Sequence, residues 1–190
     1  MELILASTSR YRREQLERLG LVFSCEAPGV DERAVAPAGA APRALAAHLA
    51  RAKADAVAAR HPQAIVIGGD QVCAHAGEVL GKPGTVERAV AQLLRLQGST
   101  HQLVTAICLR QGERVLTHED VTELEMRPLS EASVRRYVAA DDPLDCAGSY
   151  KLEARGIALF EAIRSEDWSA ITGLPLLALA RMLRQLGLEL

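Results

Sequence analysis

The sequence predicts an α/β protein built on a mixed sheet. Three observations carry that expectation. Short continuous apolar runs, Leu3-Ile4-Leu5-Ala6 and Ala64 to Gly68, read as buried strands. Ala- and Leu-rich stretches with helical periodicity lie between them. Two longer segments, His101 to Arg110 and Glu113 to Met126, flank Gly112 and read as long strands, which brings antiparallel pairing into the sheet.

The remaining elements follow in order. After the first strand, a Ser7-Thr8-Ser9 cluster opens a helix from Arg10 to Leu19 that stops at Gly20. Val22 to Glu26 reads as a short strand, and the Pro-, Gly- and Ala-rich stretch Ala27 to Ala41 as a loop. Pro42 sits in the first turn of a long helix to Arg60. Val72 to Leu80, with Gly77, reads as a hairpin. Thr85 to Gln97 is an amphipathic helix closed by Gly98, and Ser130 caps a helix to Ala140. Asp141 to Gly156 is irregular, Ile157 to Ile163 a strand and Leu174 to Leu186 a final helix. No repeat, low-complexity tract or linker appears, so residues 1–190 read as a single domain.

Composition excludes several classes. The 190 residues are 49% hydrophobic and 24% charged, too ordinary for a disordered chain. A net charge of −2 gives no electrostatic case for a nucleic-acid binder. No apolar stretch is long enough for a signal peptide or a membrane span. Cys25, Cys73, Cys108 and Cys146 are far apart with no C-x-x-C pair, which argues against zinc and disulfides and for a reduced, cytoplasmic protein. Of the 22 basic residues only Lys53, Lys82 and Lys151 are lysines, so those three positions depart from the chain's habit.

Five features could carry chemistry. Ser7 to Arg13 places a hydroxyl-rich turn and three arginines at a helix start, where free N–H groups and the dipole suit phosphate. Asp70 closes Ile65-Val66-Ile67-Gly68-Gly69-Asp70, and ligands of open α/β sheets bind beyond such strand ends. A carboxylate there can hold a metal or take a proton from water; a turn Asp is the alternative. Lys53 interrupts the apolar row Leu45, Leu49, Val57, either for function or as a snorkelling edge residue. Gly81-Lys82-Pro83-Gly84 presents a cation on a stiff loop, and Asp31-Glu32 offers paired carboxylates. The five histidines form no ligand spacing and no triad with the serines. Taken together these groups are the equipment for a nucleoside polyphosphate and a metal ion.

In their order and spacing these motifs resemble the Maf nucleoside triphosphate pyrophosphatases. The resemblance covers nearly the whole chain: Leu3-Ile4-Leu5-Ala6-Ser7-Thr8-Ser9 with Arg12-Arg13, Val30-Asp31-Glu32, Lys53, Gly68-Gly69-Asp70, Gly81-Lys82-Pro83, Cys146 to Glu153 and Gly173-Leu174-Pro175-Leu176. It implies an elongated mixed sheet flanked by helices, two lobes with a central cleft as in the related ITPase fold, and a homodimer. It implies a divalent cation, Mg or Mn, and hydrolysis of a nucleotide to its monophosphate and pyrophosphate. Asp70 would be the proton acceptor, Glu32 and Asp70 would hold metal, and Ser7, Arg12, Arg13, Lys53 and Lys82 would bind phosphate.

Tyr11, Gln71 and Glu153 fall at the three positions that separate the family's branches. An aromatic, Gln and Glu is similar to the branch acting on 7-methyl-GTP; the dTTP/UTP branch typically has Arg, Thr and Gln. Methylation at N7 makes guanine cationic, and an aromatic face attracts a cation by about 0.5–2 kcal/mol. A carboxylate at 153 can accept from guanine N1–H and the amino group, a donor pair that thymine and uracil lack. Arg10 stands where the family usually has proline, Gly69 where it has Ser or Ala, and Tyr11 where tryptophan is also common. A dTTP/UTP pyrophosphatase and a non-catalytic nucleotide-binding regulator of septum formation remain the alternatives.

Overall fold

The computed structural model describes residues 1–190. In chain order the elements are β1 (Leu3–Ala6), α1 (Arg10–Glu17), β2 (Ser24–Cys25), α2 (Glu32–Val35), α3 (Pro42–Ala58), β3 (Ile65–His75), β4 (Glu78–Leu80), α4 (Val86–Leu96), β5 (Thr100–Gln111), β6 (Arg114–Met126), α5 (Glu131–Asp141), β7 (Phe160–Arg164) and α6 (Leu176–Gln185). The seven strands form one sheet in the order β2-β1-β3-β5-β6-β7, with β4 on β3. β1 pairs in parallel with β2 and β3, whereas β3–β4 and β6–β7 are antiparallel, so the sheet is mixed as expected.

The chain divides into two compact units. The first comprises residues 1–71, 105–120 and 167–190; the second comprises 72–104 and 121–166. In the first, side-chain alternation sends successive residues of β1 and β3 to opposite faces. Leu3, Leu5, Ile65 and Ile67 join Ile107, Leu109, Leu16 of α1 and Leu179, Met182 and Leu183 of α6 in one apolar cluster. Ile4, Ala6, Ala64 and Val66 join Val57 of α3 in another. Each fully buried Leu or Ile contributes roughly 1.5–3 kcal/mol. In the second unit α4 buries Ala89, Val90, Leu93 and Leu96, α5 buries Val134, Tyr137 and Val138, and the two helices pack together.

Most predicted boundaries hold. Ser9, Thr85 and Ser130 cap α1, α4 and α5 through their side chains, and Pro42 sits at the first turn of α3. Four expectations need correction. β3 does not stop near Gly68 but runs as one strand to His75, because Cys73–His75 find antiparallel partners in β4. Tertiary pairing there overrides the turn propensity of Gly-Gly-Asp. The loop after Ala27 contains α2, which Asp31 caps by accepting from the Arg33 and Ala34 N–H groups. Residues 155–159 form a 3-10 turn, so β7 starts only at Phe160. β2 is just two residues long. None of the four cysteines is paired, and no helix is long and apolar enough to cross a membrane.

Candidate active site

Asp70 therefore lies within a strand. Pairing with β1 ends at Ala6 opposite Gly68, so Asp70 sits two residues beyond the last β1 partner. The carboxyl end that matters belongs to β1, and Ser7 follows it directly. Gly68 allows α3 to press its backbone onto β3: a Cβ at Gly68 would lie 2.2 Å from Ala50 O and 2.6 Å from Ala54 N. That close approach brings Lys53, one turn along the same face of α3, onto Asp70. Gly69 has no such constraint; a Cβ there would make ordinary contacts at 3.4 Å and beyond with Arg12 and Leu174.

Lys53 is buried and does not snorkel. Its Nζ donates to Asp70 Oδ1 at 2.6 Å and lies 2.6 Å from Glu32 Oε1. The carboxylates of Asp70, on β3, and Glu32, at the first turn of α2, thus converge on one cation. Burial raises Asp70 above the ordinary carboxylate range; Lys53 and Arg12 pull it back down, and the neighbouring Glu32 adds to the rise. Burial likewise lowers the Arg12 guanidinium, against the fields of Asp70 and Glu32. A buried carboxylate with a raised pKa and defined cationic neighbours is poised for proton transfer nearer neutral pH.

Arg12 is aimed by Gly173, whose carbonyl accepts from its Nε at 3.1 Å. Gly173 adopts φ 109°, a conformation that favours glycine, and a Cβ there would crowd the Arg12 side chain at 3.3 Å. Gln71 is held next door: its Nε2 donates to Thr105 Oγ1 at 2.9 Å, Ala170 O at 2.9 Å and Ile171 O at 3.0 Å. The two amide N–H groups are shared among these three acceptors, which fixes the side chain. Ser7 is buried, and its Oγ accepts from Ser9 N–H at 3.1 Å.

The other predicted residues have partners or surroundings of their own. Arg13 pairs with Glu17 at 3.0 Å on the exposed side of α1 and lines a cavity of about 470 Å³ with Leu21, Phe23 and Cys25. Tyr11 is half-buried, and the Arg10 guanidinium lies 4.7 Å from its ring centroid while Arg10 Nη2 donates to its hydroxyl. Lys82 and Glu153 belong to the second unit and are exposed. The supporting residues missed at sequence level are Asp167, Ser169 and Thr105. The buried Asp167 carboxylate accepts from Ser169 N–H and Leu177 N–H, which fixes the turn whose carbonyls hold Gln71 and Arg12. Its signal was an Asp two residues before a Ser ahead of a Gly-Leu-Pro stop.

The chain matches the family model described as Maf-like protein over residues 2–186. It is 46% identical over 187 residues to the 7-methyl-GTP pyrophosphatase of Bdellovibrio bacteriovorus, covering 98% of both chains. It is 53% identical over 188 residues to the 7-methyl-GTP pyrophosphatase of Xanthomonas oryzae pv. oryzae, covering 99% of this chain and 98% of that one. A solved structure of a HAM1 protein from Coxiella burnetii superposes with a TM-score of 0.52 over 98% of each chain at 14% identity, a likeness of fold. The chain belongs to the Maf-like family.

Proposed function

We propose that this protein hydrolyses 7-methyl-GTP to 7-methyl-GMP and pyrophosphate. The observation that carries the reading is the convergence of Asp70 and Glu32 on one cation beside Arg12, in a chain that matches 7-methyl-GTP pyrophosphatases along its whole length. Water attacks the α-phosphorus in line, and Asp70 accepts the proton it loses. The bond from the α-phosphorus to the bridging oxygen breaks, and pyrophosphate leaves with the electron pair. Arg12 and Lys53 offset the charge that develops on the phosphate oxygens. Ser7 and the N–H groups at the start of α1 cradle a terminal phosphate.

The donor chemistry fits a hard divalent cation. Two carboxylates already converge on a single positive charge, and such cations take one or two carboxylates together with substrate phosphate oxygens. Glu32 and Asp70 would hold it, and when bound it supplies charge neutralisation and polarisation of the phosphoryl oxygens. In the free protein Lys53 neutralises the same two carboxylates. An incoming polyphosphate would give that ammonium a new partner and leave the two carboxylates to hold the cation.

Tyr11, Gln71 and Glu153 read the base. Glu153 accepts from N1–H and the amino group, and Tyr11 faces the cationic ring. Pyrophosphate release from 7-methyl-GTP, GTP, dTTP and UTP, with Mg or Mn, tests the proposal. Preference for 7-methyl-GTP is expected; preference for a pyrimidine nucleotide would overturn the base assignment. Tight binding without turnover would favour a regulatory role.

A further inference from the structure

Lys151 is the one lysine that the phosphate chemistry leaves unexplained. Its Nζ donates to the carbonyls of Asp141 at 3.0 Å and Asp142 at 2.8 Å, the last turn of α5, and Asp145 lies 3.8 Å away. A cation at a helix C-terminus satisfies orphan carbonyls and complements the dipole. The backbone of Lys151 is bound as thoroughly. Its N–H donates to Tyr137 Oη at 2.9 Å, and its carbonyl accepts from Ala154 N–H at 3.2 Å and Gly156 N–H at 3.0 Å.

The turn that follows is closed on itself. A Cβ at Gly156 would lie 2.4 Å from Lys151 O, so only glycine fits. Arg155 N–H is tied to Asp141 Oδ2 at 3.0 Å. On the other side, the Tyr150 hydroxyl is 2.9 Å from His101 Nε2, its ring packs edge-on against Phe160, and Ser149 Oγ donates to Gln92. Burial pushes His101 down to about 4, so its ring is a neutral hydrogen-bond partner at ordinary pH. Within this stretch Glu153 is exposed and makes no hydrogen bond or ion pair of its own. Lys151, Ala154, Arg155 and Gly156 around it are held by hydrogen bonds, and its carboxylate is exposed.

We infer that Lys151 is a positioning residue for base recognition: by locking residues 151–156 to the end of α5 it holds the Glu153 carboxylate ready for the guanine edge. The inference rests on the proposed reading of Glu153. It explains why lysine stands here in an arginine-rich chain. A compact ammonium with three donors meets two adjacent carbonyls in this tight turn, and a planar guanidinium fork is not its equivalent.

The test is the ratio of kcat/KM for 7-methyl-GTP to that for UTP, measured in the wild type, Glu153→Gln, Lys151→Met and the double variant. Each single change is expected to lower the ratio by about tenfold, the scale of a lost recognition contact, through KM for 7-methyl-GTP with kcat nearly kept. The double variant should be no worse than Glu153→Gln, because both changes remove the same interaction. A wild-type ratio in Lys151→Met, or additive losses in the double variant, overturns the positioning role. Should Lys151→Met not fold, Tyr137→Phe decides. It removes the acceptor for Lys151 N–H while keeping the charge, and a loss of about threefold in the ratio is expected; an unchanged ratio overturns the inference. A wild-type ratio in Glu153→Gln would instead remove Glu153 from base recognition, a separate failure.

Discussion

The group around Asp70 and the turn around Glu153 prepare a carboxylate in opposite ways. Asp70 is buried, bonded to Lys53 and tuned by Arg12 and Glu32, so its environment sets its proton affinity. Glu153 is exposed and unpaired, and what is fixed is the backbone beneath it. The difference suits the two tasks proposed for them. A group that must take a proton gains from desolvation and from charged neighbours that shift its equilibrium. A group that must discriminate between bases gains from having its position settled before the ligand arrives, because less ordering is left to do on binding. Perturbation of Asp70 should therefore appear in turnover and pH dependence, and perturbation of the 151–156 turn in the choice between nucleotides.

The largest effect expected is on the packing that creates the buried site. Gly68→Ala places a methyl group against the α3 backbone, 2.2 Å from Ala50 O. Neither backbone can yield without disturbing Lys53 or Asp70, and a loss of about 3 kcal/mol is expected, the upper part of the overpacking range. Gly69→Ala, one residue on, meets nothing closer than 3.4 Å. It should be neutral or stabilise by up to about 1 kcal/mol by restricting the unfolded chain. Urea unfolding of both variants checks the pair. Equal effects would mean that α3 does not press on Gly68, and the account of how Lys53 reaches Asp70 would fail.

Asp70→Asn comes next. Loss of the proton acceptor should lower kcat by at least about a hundredfold while the ratio between 7-methyl-GTP and UTP stays near the wild-type value. That split separates chemistry from recognition. Near-normal turnover would remove Asp70 from the reaction, and a collapsed ratio would erase the distinction between the two regions.

The pH dependence sharpens the same contrast. Asp70 must be ionised to accept a proton, so kcat/KM falls as pH drops through its raised pKa. Lys53 holds that pKa down, in opposition to burial. Removing the ammonium leaves burial and Glu32 less opposed. In Lys53→Met the acid limb of the kcat/KM profile should move to higher pH, whereas in Lys151→Met it should stay in place. A limb that moves down or not at all in Lys53→Met would show that Lys53 does not set the protonation of Asp70.

Much of this was legible in the residues, and what was not has a physical reason. Capping by Ser130 and the helical and strand periodicities are local signals, and they held. Lys53 on an apolar stripe and Asp70 after a buried strand were each conspicuous alone. Their bond, across 17 residues of sequence, depends on α3 crossing β3 at Gly68, and that is a tertiary fact. The same holds for the turn at Asp167 that aims Arg12 and Gln71. The strand through Asp70 was misplaced because Gly-Gly-Asp locally favours a break, while β4 supplies partners beyond it. Lys151 stood out only by being lysine, and its bonds to the carbonyls of Asp141 and Asp142, 10 and 9 residues away, are again tertiary.

The smallest effect expected concerns Tyr11, the aromatic residue proposed to face the cationic base. The Arg10 guanidinium lies 4.7 Å from the Tyr11 ring centroid and also donates to its hydroxyl. A cationic base seeking the same ring face must displace another cation, and exposed cation–π contacts are worth about 0.5–1 kcal/mol. Arg10 occupies the first position of α1, after the Ser9 cap, where proline is favoured because no backbone N–H is needed. Arg10→Pro should therefore keep the helix, clear the ring and lower KM for 7-methyl-GTP by about threefold, the equivalent of that contact energy. UTP, whose base is uncharged, should gain less. Equal gains for the two nucleotides would mean that Arg10 only hinders access to the site, and a raised KM for both would mean that Arg10 itself binds phosphate.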